Sequence, residues 1–199
     1  MTETTIRSHP WTLLLLGMTA ALIAALLLQD TGSMSLIPAG GTDPDAEGRE
    51  FWLHFSAYSA WVTTLLLIPA YIFVWSATRA PDWRAFWSAS YAAYLIHLAI
   101  SAFGFFGGDF AWMTNSSRVS AFWPGMVLAV WWGVDVALSN RSGGWITGQR
   151  IGVHLMAFVL FFGGSAVMGE LLTVKIIGTL LLVTAIGAAA RYVVQRRAA

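Results

Sequence analysis

Residues 84–107 read Arg-Ala-Phe-Trp-Ser-Ala-Ser-Tyr-Ala-Ala-Tyr-Leu-Ile-His-Leu-Ala-Ile-Ser-Ala-Phe-Gly-Phe-Phe-Gly. After Arg84 the run carries no charge, and its strongest polar group is a lone imidazole, His97. As a helix it would extend about 36 Å, enough to cross a hydrocarbon core of ~30 Å. A histidine in the middle of such a run is expensive in lipid unless it is hydrogen-bonded or ligated, so the segment predicts both a membrane span and a candidate site.

The rest of the chain agrees with this reading. Of 199 residues, 57% are apolar and 11% charged, against roughly 25% charged in soluble domains. That composition excludes a water-soluble domain of this size. With 11 basic and 10 acidic side chains, there is no basic face for nucleic acid. Cysteine is absent, which removes disulfides, thiolate metal sites, iron–sulfur clusters and cysteine nucleophiles.

Long apolar runs at 11–29, 51–78, 84–107, 120–139, 150–168 and 171–194 predict an all-α membrane bundle of six helices forming one domain. Turn chemistry separates them, as in Gly107-Gly108-Asp109 and Gly169-Glu170. Segment one also has the charged start and apolar run of a signal peptide, but it is long for one, and no small-x-small site follows directly. It reads as a retained helix. Residues 30–50 form the longest loop on the outer side, either a plain connector or a lid.

The positive-inside rule sets the orientation. With the N-terminus cytoplasmic, the inner side holds Arg7, Arg79, Arg84, Arg141, Arg150, Arg191, Arg196 and Arg197, and the outer side holds Arg49, Arg118 and Lys175. Both termini are then expected in the cytoplasm, with the chain in a bacterial inner membrane. Small residues at helical spacing, such as Gly144, Gly148 and Gly152, permit close helix approach.

Polar groups in the spans are the candidates for chemistry: His54, His97, His154, Asp135, Lys175 and Met168. His97 suits haem iron, for which histidine is the usual b-type axial ligand, or a helix–helix hydrogen bond. His154 and Asp135 lie at similar depth near the inner edge and are expected to pair, unless Asp135 reaches Arg141 or Arg150 instead. His54 opens segment two near the outer surface, either solvated or approaching His97. Lys175 reads as a snorkelling lysine paired with Glu170.

Three stretches carry a resemblance. Thr63-Thr-Leu-Leu-Leu-Ile-Pro69 ends segment two, the Arg84–His97 run leads segment three, and Leu138-Ser-Asn140 is followed by Gly148-Gln-Arg-Ile-Gly-Val-His154. In order and spacing these are similar to the ferric-reductase-like transmembrane family, most closely the MsrQ (YedZ)-type haem-binding subunits. The likeness covers about 130 residues. It implies haem b, with His97 as the outer-level ligand and His154 as the inner-level one, and a redox partner subunit.

The departures are specific. The family's second helix-five histidine falls at Val167, beside Met168, and Arg84 stands where an inner-level partner for His154 would be. His97 and His154 differ in depth by roughly 14 Å on the helical rise, too far to share one iron. Iron at His97 would therefore need Met168, His54 or no second protein ligand; a relative without haem also fits these gaps. The expected function is thus electron transfer from quinol or a flavoprotein to a partner. The alternatives are a non-redox substrate-binding component of a transporter, with Trp52, Trp61, Trp112 and Trp123 lining a pocket, and a structural subunit of a larger complex. No nucleophile–base or paired-carboxylate set suggests an enzyme complete in itself.

Overall fold

The computed structural model describes residues 15–24, 48–75, 80–116, 122–139, 147–167 and 172–198. The elements are α1 (Leu15–Ala24), α2 (Glu50–Phe73), α3 (Ala80–Ala99), α4 (Phe110–Asn115), α5 (Phe122–Ser139), α6 (Thr147–Phe162) and α7 (Leu172–Ala198). Wider π-helical turns continue α3 over Ile100–Phe105 and α6 over Gly163–Val167. The described residues contain helices and turns and no strand.

Five helices are long and apolar enough to cross a membrane: Phe51–Phe73, Ala80–Phe105, Phe122–Ser139, Gly148–Val167 and Val174–Arg197. The chain is therefore a multi-pass helical membrane protein that contacts the lipid bilayer. Of the first expected segment, Leu15–Ala24 is described as a short apolar helix; 11–14 and 25–29 lie outside the described residues, as do 30–47 of the loop.

Several boundaries differ from the sequence reading, α6 beginning at Thr147 and α7 running to Ala198. Helix α3 starts at Ala80 instead of 84, taking in Pro81 and Asp82. The first turn needs no amide donor, so proline is tolerated there, and an acid complements the helix dipole. Helix α4 was not anticipated. Gly107 and Gly108 take positive φ of 62° and 81° to turn the chain, and the Asp109 side chain caps the Trp112 amide at 2.9 Å.

The five long helices close a ring. Helix α2 packs on α3 and α7, α3 on α5, α5 on α6, and α6 on α7. Sequential neighbours run antiparallel, as short connections require. Helix α7 lies parallel to α2, since Arg191 donates to the carbonyl of Ile72 and Gln195 to that of Trp75 at 2.7 Å. With Arg150 on the Val74 carbonyl at 3.4 Å, these groups satisfy the open end of α2, where cations favour the negative dipole pole. At the opposite end Arg49 donates to the Phe105 carbonyl at 2.5 Å and lies 4.4 Å over the Trp112 ring.

Inside the ring sits a continuous core that includes Leu67, Trp83, Trp87, Tyr94, Leu128, Trp132, Val153 and Leu181. A smaller cluster joins Ile23 of α1 to Val62 and Ala93. The lipid-facing surface is apolar as well, with Val130, Val134, Leu155, Val183 and Ile186 exposed. Lipid supplies no hydrophobic force between helices, so association rests on close packing and polar contacts.

Glycine sites show where the packing is tight. A Cβ on Gly178 of α7 would stand 2.8 Å from the backbone nitrogen of Ala166, whereas one on Gly187 meets nothing within 4 Å. Gly178→Leu should therefore destabilise the protein by about 1–3 kcal/mol in detergent thermal unfolding. Gly187→Ala should leave the midpoint unchanged or raised.

Candidate functional site

Helix α3 presents Trp83, Trp87, Tyr94 and His97 along the side that meets the other helices. Trp83 and Trp87 have 2% and 0% exposure. Around them the bundle holds two separate histidine clusters, one at each depth.

The first cluster lies toward the arginine-rich end and is centred on His154. Its Nδ1–H donates to the Arg150 carbonyl at 2.8 Å, since a carbonyl only accepts. Its Nε2 then holds the lone pair, which accepts the Trp83 indole N–H at 3.2 Å. The ring lies flat on Trp87, with centroids 3.8 Å apart and planes 6° off parallel. Tyr71 packs edge-on at 5.5 Å and donates its hydroxyl to the His154 carbonyl. Both ring nitrogens are thus engaged and one face is covered.

Trp87 reaches the other way to Asp135. Its indole N–H donates to Asp135 Oδ2 at 2.8 Å. The carboxylate is fully buried, and Arg150 feels its charge across the α5–α6 contact. The expected closeness of His154 and Asp135 thus takes a particular form, with Trp87 stacked on one and donating to the other. Trp132 packs on Trp87 at 4.5 Å and on Tyr94 at 5.7 Å. Its own indole N–H finds no acceptor among the described residues.

The second cluster is centred on His97, about 15 Å further along α3 than Trp87. Nδ1 of His97 donates to the Ser56 carbonyl of α2 at 2.9 Å, with the Ser59 and Ser56 hydroxyls at 3.3 and 3.4 Å. Ser101 donates to the His97 carbonyl at 2.8 Å and meets the Ser56 hydroxyl at 2.7 Å. Tyr94 stacks near the imidazole at 6.3 Å and sends its hydroxyl to the Gly125 carbonyl at 2.9 Å. With Nδ1 protonated, the lone pair of a neutral His97 sits on Nε2. Among the described residues no donor takes it.

The two histidines therefore fit haem iron differently. Ligating histidines usually donate the other ring nitrogen to a carbonyl or carboxylate, which fixes the tautomer. His97 has that arrangement and suits one axial position. His154 has the same tautomer, but Trp83 already occupies its lone pair, and the stacked indoles fill the adjoining space; iron does not fit there without dismantling the cluster. No group of three or more histidine and carboxylate side chains gathers among the described residues.

The remaining candidates are dispersed. His54 is buried at 6% exposure. At ~100° per residue it lies some 140–160° around α2 from Ser56 and Ser59, away from the side that meets His97. Lys175 is exposed, while Met168 and Glu170 lie outside the described residues. Trp52 stacks on Phe55, Trp61 packs edge-on to Tyr58, Trp112 lies under Arg49, and Trp123 is 63% exposed. Sequence reasoning missed Trp83, Trp87 and Tyr71, and expected a Ser, Thr or Tyr partner for His97 without saying which residue it is. Their one signal was polar atoms at helical spacing on α2 and α3.

The chain matches no protein-family model, no curated protein and no solved structure.

The Trp87–Asp135 bond yields a test through the asymmetry of buried hydrogen bonds. Trp87→Phe keeps a ring against His154 but takes the indole donor from the buried Asp135 carboxylate, which should cost about 1–3 kcal/mol in detergent unfolding. Adding Asp135→Leu removes that acceptor and should recover most of that loss. A double variant less stable than the single one would contradict this account.

Proposed function

We propose that this chain is a membrane electron-transfer subunit in which His97 is an axial ligand of a b-type haem. The observation that carries the reading is the Nδ1–H bond from His97 to the Ser56 carbonyl at 2.9 Å, which leaves Nε2 as the lone-pair nitrogen. Bound haem would supply one-electron chemistry at that depth. The chain's own residues do the positioning. Ser56 fixes the tautomer, Ser59 and Ser101 surround the ring, and Tyr94 braces it from the side. His154 takes no part as a ligand in this reading; it joins α2, α3 and α6 beneath the site.

The topology belongs to the same proposal. Segment one supplies a sixth span, both termini lie in the cytoplasm of a bacterial inner membrane, and the His97 cluster occupies the outer half. The described residues support that sense, with Arg84, Arg150, Arg191, Arg196 and Arg197 all at one end. The resemblance to the ferric-reductase-like family supports the same function, with quinol or a flavoprotein as donor, a partner subunit as acceptor, and Met168 as a candidate second ligand. A structural role is the second reading. It is favoured by His154, whose two nitrogens both serve helix packing.

Optical spectra of the protein expressed with haem available decide between them. A reduced α-band is expected in the wild type, lost in His97→Ala and kept in His154→Gln. A colourless wild type would overturn the electron-transfer reading in favour of the structural one.

A further inference from the structure

A groove of about 360 Å³ runs along the outside of the bundle at the arginine-rich end, between α2, α6 and α7. Tyr71, Trp75, Leu155, Phe158, Ala185 and Tyr192 line it. The lining from Leu182 to Tyr192 spans ten helical steps of α7, or about 15 Å. That is about one leaflet of a ~30 Å hydrocarbon core. Leu155 and Ile186 on its rim are 59% exposed each, so the groove opens sideways toward lipid.

Cations and aromatic rings gather beside the Tyr192 end of the lining. Arg191 and Arg196 are exposed on α7, on either side of Tyr192. Arg191 keeps one nitrogen on the Ile72 carbonyl, and Arg196 stacks 5.4 Å over the Tyr192 ring. Trp75 and Tyr192 meet there at 4.6 Å. Arg150 lies 5.4 Å over Trp75 and 4.8 Å over Trp83 and donates to the Val74 carbonyl at 3.4 Å, so its guanidinium is already engaged. The positive charge open to a ligand is therefore that of Arg191 and Arg196, with Arg197 next along the helix.

We infer that this groove is a binding site for one anionic phospholipid, an acyl chain lying along α6 and α7 and its phosphate beside the arginines at the end of α7. The length, the sideways opening and the apolar lining suit a chain held in one leaflet. The arginines and the Trp75–Tyr192 pair stand at the depth where headgroups begin. A chain held this way fills space between α2, α6 and α7 that helix packing leaves open, and ties the end of α7 to that of α2. The site is independent of the haem reading, since none of its residues belongs to the His97 cluster.

Native mass spectrometry of the full chain tests it, with phosphatidylglycerol and phosphatidylcholine of identical acyl chains added to the detergent. Two arginines predict a preference of roughly thirtyfold for phosphatidylglycerol. Arg191→Gln with Arg196→Gln should abolish the preference while keeping a donor for the Ile72 carbonyl. Ala189→Trp, and separately the milder Ala185→Leu, should reduce retained lipid by filling the groove. Soluble glycerophosphate should not compete, because it lacks the chain; competition would identify a bare phosphate site and overturn the proposal. Equal retention of both lipids by the wild type, or undiminished binding by both groove-filling variants, would show ordinary annular lipid and overturn it as well.

Discussion

The indole of Trp87 joins three helices. It lies flat on His154 of α6, gives its N–H to Asp135 of α5, and stands on α3 against Trp132. In a bundle bathed by hydrocarbon each of these polar groups must find its partner inside the protein, because lipid offers none. Removing Trp87 would leave a fully buried carboxylate without the indole donor and a buried imidazole without its stacking face. The ring of five helices is organised around this meeting point, with α2 joining it through the Tyr71 hydroxyl on the His154 carbonyl.

The same constraint explains why the two histidines differ. His154 lies where α2, α3 and α6 converge, and indoles from α3 consume both its lone pair and one face. His97 lies further along α3, beside Ser56 and Ser59 of α2 and Ser101 of its own continuing turn, and two of these hydroxyls are directed to backbone carbonyls: Ser59 donates to Ser56 and Ser101 to His97. Serine is small and self-satisfied on a helix, so it braces an imidazole without competing for Nε2. Both nitrogens of His154 are thereby engaged in helix packing, whereas His97 makes its contacts to α2 through Nδ1 alone. The ends of the bundle follow the same economy of polar groups. Arg150, Arg191 and Gln195 close the last carbonyls of α2, and Arg49 closes the end of the π-helical turn after α3.

Much of this was legible in the residues alone. Composition and run length placed the chain in a membrane, because a ~30 Å hydrocarbon layer admits only long apolar helices with internally satisfied backbones. The depths of His97 and His154 followed from the helical rise, and the structure keeps their clusters on separate levels of α3. Asp135 was recognisable as an acid within a span near its arginine-flanked end, and the structure buries it fully. What the sequence left open was each polar group's partner. Trp83 stands 71 positions from His154, and Trp87 stands 48 from Asp135. Periodicity reports which stripe of a helix faces inward, but not which neighbouring helix meets it or at what height. That choice belongs to the packing of the whole ring, where side-chain shape and the need to satisfy every buried donor act together across distant parts of the chain.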